Sequence, residues 1–347
     1  MIKFFMLYDA IIIGAGPTGS AAAKTLCGKG LSVLMLEAQK MPRYKSCSGC
    51  LIKRTMDLVQ EYFSKPIPQS VMCAPFENKG MIFFDDKGKR YDFPQSGLNV
   101  WRSEFDYWLS QEAAASGAEL RDQSRVTKIE QNESYVTVKI GEKKSATETA
   151  RYVIDYEGAV SVVKKAVLGA QSSFITTYQT FNDGAIDLDP QYFYAYLQPE
   201  FSEYDAWFNV KDGMLVLGVA AKALDKIPAY YARFIKHLKE KHGLAITRQK
   251  MEDKWILPRI TPDFKIDYAK GRVFFAGEAA GFLNPMGEGI SAGMESARHL
   301  AVSMAENFSD PAKIEAAYRE RAKPVWERMV RQWRFVGSIT DTFSEMR

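Results

Sequence analysis

Histidine and cysteine, the side chains that most often bind metals or form disulfides, are scarce in this chain. Only three histidines occur in 347 residues, and they are scattered, so a histidine-based metal site is not expected. Four cysteines are too few for a disulfide framework in a chain of this length. This cysteine usage suits a reducing compartment, and we expect a cytoplasmic protein.

The sequence also lacks a long apolar run, a basic cluster and an internal repeat. Its apolar opening stretch is interrupted by Asp9 and has no small-residue cleavage site, so we expect neither a signal peptide nor a membrane span. The net charge is only +4, and the lysines and arginines are spread along the chain, which argues against nucleic-acid binding. The length allows one large domain or two that share the chain.

A glycine-rich turn joins a predicted buried strand to a predicted helix near the start of the chain. The apolar run from Tyr8 to Ile13 is typical of a parallel strand, and it leads directly into GAGPTG, residues 14–19. Small residues typical of a helix follow, and a second predicted strand, 32–36, ends in Glu37. This order of strand, glycine turn, helix, strand and acid is the dinucleotide-binding fingerprint.

Each part of the fingerprint has a mechanical reason. Gly14 allows the tight turn, Gly16 lets the backbone approach a pyrophosphate, and Gly19 lets the helix pack closely on the sheet. The positive end of the helix dipole and its unpaired N–H groups then bind the phosphates. Glu37 is placed to accept hydrogen bonds from ribose hydroxyls. The predicted dinucleotide contacts in this region are Gly14, Gly16, Pro17, Thr18, Gly19, Glu37 and Ala38.

A second loop near the other end of the chain indicates which dinucleotide is bound. Residues 271–281 predict a strand that leads into a loop, and a helix with apolar residues at helical spacing begins at Ile290. A nicotinamide dehydrogenase does not need this segment, whereas FAD lies extended and uses it for its ribityl and flavin half. We therefore predict FAD, with Glu278 near the ribityl–pyrophosphate junction. The predicted contacts of this half are Gly277, Glu278, Gly287, Gly289 and Ile290.

Three stretches resemble the geranylgeranyl reductase family, within the p-hydroxybenzoate-hydroxylase-like FAD enzymes. GEAAGFLNPMGEGI, residues 277–290, is similar to the family's late signature, with Glu278 where Asp is usual. Residues 101–120 resemble the family's helix that places an arginine, here Arg102, against FAD. PRYKSCSGCL, residues 42–51, resembles the family's proline-to-cysteine loop beside the flavin. The resemblance implies further FAD contacts from Arg43, Cys47, Ser48, Gly49, Arg102, Val126 and Gly158.

The predicted fold class is α/β. We expect a discontinuous Rossmann-like FAD-binding domain, an antiparallel-sheet substrate cap domain built of short aromatic strands, and C-terminal helices. In the C-terminal segment, Pro324 is expected to interrupt an amphipathic helix. The predicted segments are 1–70, 95–170 and 259–308 for the FAD-binding domain, 71–94 and 171–258 for the cap, and 309–347 for the C-terminal helices.

Cys47 and Cys50 form a C-x-x-C pair, which allows several interpretations. The pair supplies only two ligands for zinc, so no metal site is predicted. A redox dithiol is geometrically feasible, but the second glycine fingerprint of flavin disulfide reductases is missing from the sequence. The pair also suits a substrate-side loop with Cys47 facing the reaction site, or simple packing. We prefer the substrate-side loop, and the candidate catalytic residues are Cys47, Tyr44 and Cys50.

Aromatic side chains on the predicted cap strands favour an apolar substrate channel. Trp207, Phe208 and Tyr196 are the candidate substrate contacts, although aromatic residues on strands also pack in cores. The cap of the resembling family carries a motif similar to YxWxFP before a lysine. Here Trp207 and Lys211 are kept, whereas the Tyr, Phe and Pro are absent. Lys211-Asp212-Gly213 predicts a hairpin turn.

Two further features concern partners. Asp155 stands where the resembling families have the first glycine of a GADG-like loop that supports pyrophosphates. Its charge would disfavour docking of NAD(P)H, so an electron-carrier protein is a candidate donor.

A predicted amphipathic helix at 227–238 has a basic face, which is either simply solvated or contacts anionic lipid at a membrane surface.

These observations predict an FAD-dependent oxidoreductase that reduces a carbon–carbon double bond in an isoprenoid or other apolar substrate. The hydride would come from N5 of reduced FAD, in a cavity that excludes water. An FAD monooxygenase is an alternative, although hydroxylases of this fold usually carry His where this chain has Gly281. A halogenase would carry a WxWxIP stretch, which is missing. A partner-dependent electron-transfer flavoprotein is the third hypothesis.

Overall fold

Two eight-stranded sheets form the framework of the computed structural model, which describes residues 7–141, 146–169 and 173–347. The small parts of the predicted FAD-binding and cap segments at 1–6, 142–145 and 170–172 lie outside the described residues. The strands are β1 (Leu7–Ile13), β2 (Val33–Leu36), β3 (Cys50–Ile52), β4 (Met72–Phe84), β5 (Arg90–Val100), β6 (Glu119–Arg121), β7 (Val126–Gln131), β8 (Val136–Ile140), β9 (Ala146–Asp155), β10 (Phe174–Ala185), β11 (Tyr192–Tyr196), β12 (Ala206–Lys211), β13 (Met214–Ala221), β14 (Ala245–Pro258), β15 (Ala269–Lys270) and β16 (Val273–Phe275). The α-helices are α1 (Pro17–Cys27), α2 (Lys53–Phe63), α3 (Arg102–Ala114), α4 (Val162–Leu168), α5 (Ile227–His242), α6 (Gly277–Ala280), α7 (Ile290–Glu306) and α8 (Pro311–Ile339).

The first sheet is the predicted Rossmann-like layer. Its strand order is β15-β16-β9-β1-β2-β6, and the β7–β8 hairpin extends it from β9. β1 lies between β2 and β9 and is parallel to both, so its apolar run Ile11–Ile13 is buried. Small residues such as Ala22 of α1 and Ala297 of α7 belong to the same core, which lets both helices approach the sheet closely.

The second sheet is the cap, with the order β14-β10-β13-β12-β11-β4-β5-β3. Its pairs are antiparallel except β11 with β4. The predicted hairpin turn is confirmed, because Asp212 and Gly213 connect β12 to β13 with φ of 48° and 76°. Residues 50–52 and 95–100 also pair in this sheet, so it extends beyond the predicted cap segments.

Different helices cover the two faces of the cap sheet. On one face, the apolar side of α5 packs through Tyr230 and Phe234, while its lysines face outward. On the other face, α8 packs through Met329 and Trp333. Because both faces are covered, every residue of β12 is buried. The alternation of side chains along the strand therefore decides which layer each one faces.

α8 continues without a break from Pro311 to Ile339, so the predicted interruption at Pro324 is wrong. Pro324 is exposed, and the backbone bond that it removes lies on the solvent side. Tyr318 packs in the core of the first sheet and Trp333 in that of the cap, so tertiary packing keeps the helix intact. Among the described residues, no helix is both long and apolar enough to cross a bilayer.

Candidate functional site

The carboxyl ends of β1 and β2 open into a cleft that we call the dinucleotide cavity. The glycine turn, the end of β2 and the loop after β9 form its walls, and the role predicted for each residue stays a prediction. The predicted residues that line this cavity are Gly14, Gly16, Pro17, Thr18, Gly19, Glu37, Ala38, Arg43, Arg102, Val126, Gly158 and Glu278, together with Tyr44.

Two glycines of the turn have no room for a side chain. Gly14 has φ of +108°, and a Cβ there would lie 2.5 Å from the carbonyl oxygen of Tyr156. A Cβ on Gly19 would lie 2.0 Å from the carbonyl oxygen of Gly14. The start of α1 therefore packs directly against the turn, which leaves the N-terminus of the helix facing the cavity.

Opposite charges alternate along one wall of the dinucleotide cavity. Arg43 lies between two carboxylates, with Nε 3.1 Å from Glu37 Oε2 and Nη1 3.0 Å from Asp106 Oδ2. Asp106 also accepts both hydrogen bonds of the Arg102 fork, at 2.6 and 2.8 Å. The backbone N–H of Ala15 donates to Glu37 at 3.3 Å. This network fixes Glu37 at the end of β2, where a ribose would be bound.

A second cleft, the cap cavity, lies between the cap sheet, the loop at 42–50 and the loop at 285–290. It is lined partly by apolar side chains, among them Met81, Phe193, Trp207 and Leu257. The predicted site residues that line it are Pro17, Thr18, Cys47, Ser48, Cys50, Arg102, Trp207, Glu278, Gly287, Gly289 and Ile290.

The two cavities adjoin. The residues that line both are Pro17, Thr18, Lys45, Arg102, Trp255 and Glu278. One extended ligand can therefore place one end on the glycine turn and the other end under the cap.

The two cysteines of the loop lie in different electrostatic environments. Burial opposes ionisation of Cys47, but the charges of Arg102 and Lys211 outweigh it and hold the pKa of Cys47 below its ordinary value. Burial raises the pKa of Cys50 to about 12, and its thiol lies 3.2 Å from Asn99 Oδ1. Both cysteines are free thiols, and no cluster of metal-ligating side chains occurs in the part of the chain that is described.

Lys211 supports the loop from inside the cap. Its side chain is only 2% exposed, and its ammonium donates to the carbonyl oxygen of Cys47 at 3.1 Å. The ammonium also lies 4.4 Å from the centre of the Trp101 ring. The lysine kept from the resembling family's cap motif thus holds the backbone of the cysteine loop.

Phe208 and Tyr196 do not line the cap cavity, so the prediction that they contact substrate is wrong for both. They pack on the opposite face of the sheet, in the core under α5. Phe208 follows Trp207 on β12 and therefore points the other way. Tyr196 stacks on Phe84, with 4.7 Å between the ring centres.

Three other predicted residues lie away from the position expected for them. Tyr44, a candidate catalytic residue, lines the dinucleotide cavity rather than the cap cavity, and its hydroxyl donates to Asp253. Gly49 and Gly277 line neither cavity. Both have positive φ, and a Cβ would lie 2.1 Å from Val100 O at Gly49 and 2.9 Å from Thr18 at Gly277. They permit close packing behind the cavities.

Asp155 does not bring its charge to the dinucleotide cavity, contrary to the expectation from sequence. Its carboxylate is buried and accepts hydrogen bonds from the Glu157 backbone and the Ser161 hydroxyl. Glu157, two residues later, lines the cavity instead. The physical reason is that the turn after β9 folds the Asp155 side chain inward.

Several cavity residues were not predicted. Lys45 lies where the two cavities meet, with its ammonium 4.4 Å from the centre of the Trp255 ring. Lys45 is adjacent to the predicted loop, but Trp255 is on β14, and no local pattern connects them. Tyr204 and Asp205 line the cap cavity just before β12. No sequence signal singled out Asp205, since Ser202 and Glu203 are polar neighbours in the same stretch.

The residues present fit FAD. The cleft has two adjoining parts, and the glycine turn offers a helix N-terminus to phosphates. Glu278 Oε1 is buried and, within the described residues, has no hydrogen-bond partner. A ribityl hydroxyl would satisfy it. α7 begins at Ile290, directly after Gly289, and both residues line the cap cavity. The positive end of the helix dipole therefore lies at this cavity.

A Rossmann-like layer, a late loop that completes the same cleft and a β-sheet cap together define an FAD-dependent oxidoreductase. The chain belongs to the family described as FAD binding domain, whose model matches residues 7–333. The predicted fold class and the FAD cofactor are confirmed.

The relatives also confirm the resemblance to geranylgeranyl reductases. A digeranylgeranylglycerophospholipid reductase of Methanosarcina acetivorans is 29% identical over 212 residues, or 56% of this chain. The chain spans only 39% and 49% of the first two curated relatives that it matches. Protein CbrA of Escherichia coli O157:H7 is 27% identical over 326 residues, covering 90% of this chain and 87% of CbrA.

One solved structure has the same fold along nearly the whole chain. It is a geranylgeranyl bacteriochlorophyll reductase-like protein of Thermoplasma acidophilum, with a TM-score of 0.79 and 21% identity. The match covers 99% of this chain and 87% of that one.

Proposed function

We propose that this chain reduces a carbon–carbon double bond in an isoprenoid or another apolar substrate. The observation that carries the proposal is the cap cavity, whose apolar wall of Phe193, Trp207 and Leu257 adjoins the FAD cleft. An apolar chain can lie along this wall with its double bond at the flavin end. The names of the reductase relatives support the same substrate class.

One group of residues would hold FAD, and a second group shapes the cap cavity. Glu37, Glu278 and the N-termini of α1 and α7 would hold FAD, which supplies a hydride when it is bound and reduced. The apolar wall excludes water from the reacting atoms. Lys211 holds the backbone of the cysteine loop, so the cavity keeps its shape.

The proposal is tested by single-turnover reoxidation of the flavin. The purified chain, loaded with FAD, is reduced without oxygen by dithionite and mixed with a geranylgeranyl-bearing lipid. We expect the flavin to reoxidise and the lipid to gain two hydrogen atoms for each flavin reoxidised, measured by mass spectrometry. The matched control is the fully saturated lipid, which should leave the flavin reduced.

The other outcomes identify the alternatives. If the lipid does not reoxidise the flavin, but an added aromatic compound is turned over rapidly with oxygen, the reaction is a hydroxylation. If neither compound is converted, the chain is an electron-transfer flavoprotein.

The electron donor is part of the same proposal. The sequence has no second glycine fingerprint for NAD(P)H, so we propose that a carrier protein reduces the flavin. A reduced ferredoxin should then replace dithionite in the assay, whereas NADH and NADPH should not.

A further inference from the structure

Asp205 is a buried acid on the substrate side of the cap cavity. It immediately precedes β12, and the alternation of the strand places it on the same face as Trp207. Its neighbours Ala206 and Phe208 pack on the other face, under α5. Asp205 is 6% exposed, so its carboxyl group meets the cavity rather than bulk solvent.

The carboxyl group has no partner that would stabilise a negative charge. In the described ranges of the chain, the only group that donates to it is its own backbone N–H. The two other acids of the cavity differ. Glu288 accepts hydrogen bonds from Asn284 and Ser291 at 2.6 to 2.9 Å, and Glu278 faces the charge of Lys45.

Burial without a partner favours the protonated acid. It raises the pKa of Asp205 to about 7, whereas the charges around Cys47 lower the pKa of that thiol. Burial therefore favours the neutral form of Asp205, whereas the positive charges beside Cys47 favour its ionised form. The other titratable groups that line the cavity are Lys45, Cys47, Cys50, Arg102, Tyr204, Glu278 and Glu288.

We propose that Asp205 is the catalytic acid that donates a proton to the substrate double bond. This inference rests on the proposed function. One alkene carbon receives the hydride with its two electrons, and the other receives the proton from the Asp205 carboxyl group. The π bond is lost and two C–H bonds form. Asp205 is left as a carboxylate and takes a proton from water before the next turnover.

The first test measures the protonation of Asp205 directly. Aspartate labelled with ¹³C at the carboxyl carbon is incorporated, and the infrared carbonyl band of a protonated acid is followed with pH in wild-type protein and Asp205→Asn. We expect protonated-acid intensity at pH 6 that disappears as the pH rises through about 7. Asp205→Asn should lose part of this intensity and keep the part that belongs to Asp155, whose pKa is also raised by burial. Equal protonated-acid intensity in the two proteins at pH 6 would overturn the proposal.

The second test uses the anaerobic reoxidation assay with a geranylgeranyl lipid. Asp205→Asn should reduce the rate by about 100-fold or more while FAD content stays the same, and Asp205→Glu should recover part of it. The wild-type rate should fall as the pH rises through about 7. Cys47→Ser should keep the same pH profile, because it leaves the acid in place.

The outcomes separate this inference from the function that it rests on. If wild-type protein reoxidises but Asp205→Asn is within about threefold of it, Asp205 is not the acid and the reductase proposal stands. If wild-type protein does not reoxidise with any alkene, both proposals fail. Should Asp205→Asn not fold, the labelled wild-type spectrum and Asp205→Glu still decide the question.

Discussion

Only two residues separate Cys47 from Cys50 at the start of β3, yet the two thiols lie in different charge environments. Arg102 and Lys211 offset the burial of Cys47, whereas Cys50 is buried beside a neutral amide. Because the thiolate is the reactive form, this difference can be measured chemically.

We expect Cys47 to react with iodoacetamide faster than Cys50 by roughly tenfold or more near pH 8. The Cys47 rate should rise at a lower pH than that of an ordinary thiol, since the pKa of its thiol is lowered, and Cys50 should react only in strong alkali. Peptide mass spectrometry against pH follows both sites in one experiment. In Lys211→Met, the Cys47 profile should move to higher pH. Equal rates for the two thiols would contradict the assigned environments.

Gly14→Ala should damage both stability and FAD binding. The new Cβ would meet the Tyr156 carbonyl, and the residue would also be strained at φ of +108°. We expect a loss of about 2–4 kcal/mol in the free energy of unfolding, with little FAD retained on purification. Gly30→Ala is the matched control, because its φ is +80° but nothing lies within 4 Å of the Cβ. It should cost about 1 kcal/mol and keep full FAD content.

Local sequence was sufficient to identify residues that line the dinucleotide cavity but not those that line the cap cavity. The glycine turn and Glu37 are neighbours along one strand–helix–strand unit, so their pattern can be read directly. Phe208 and Tyr196 were assigned wrongly because both faces of their strands are buried, and polarity then gives no sign of which face meets the cavity. Trp255 was missed since its contact with Lys45 depends on the tertiary fold.

At the scale of elements, the β12–β13 hairpin shapes the wall of the cap cavity. Trp207 pairs with Gly218 across the two strands, and a Cβ on Gly218 would lie 2.0 Å from the indole ring. The ring therefore lies flat over the glycine, which keeps the cavity open above it.

Gly218→Ala should push the Trp207 ring into the cavity. We expect a loss of about 1–3 kcal/mol in unfolding free energy from overpacking, together with a raised KM for the lipid substrate. Gly213→Ala, in the turn of the same hairpin, has open space around its Cβ and should leave KM unchanged. Denaturant unfolding and steady-state kinetics of both variants provide the comparison. An unchanged KM in Gly218→Ala would mean that Trp207 does not border the substrate.

The helices show where a local rule can be overridden. α7 and α5 were predicted from their apolar spacing, which also determines the faces that they bury. Pro324 was expected to break α8, because a proline lacks the N–H group of the helix. Packing on both sheets outweighs that loss, and neither sheet is visible from the sequence around the proline.

For the molecule as a whole, Glu295 connects three helices. It is 3% exposed on α7 and forms ion pairs with Arg54 of α2 and Arg328 of α8. Removing its charge leaves two arginines without their partner. The arginine side chains are 45% and 32% exposed, so solvent screens part of the interaction. Glu295→Gln should lower the free energy of unfolding by about 1–2 kcal/mol, measured by denaturant unfolding.

The control for Glu295 is an exposed pair on α8, the long helix that carries Arg328. Glu315→Gln removes the partner of Arg319 one helical turn away and should cost about 0.5 kcal/mol or less. Similar losses in the two variants would show that the buried network contributes no more than a surface pair.

The order of strands in the first sheet has a consequence for synthesis of the chain. β1 is made early, but its neighbour β9 ends at Asp155 and the next strand, β16, begins only at Val273. The FAD cleft is completed later still, at Ile290. A growing chain on the ribosome therefore carries an unfinished sheet until Val273 has been made, and its flavin cleft is complete only after Ile290.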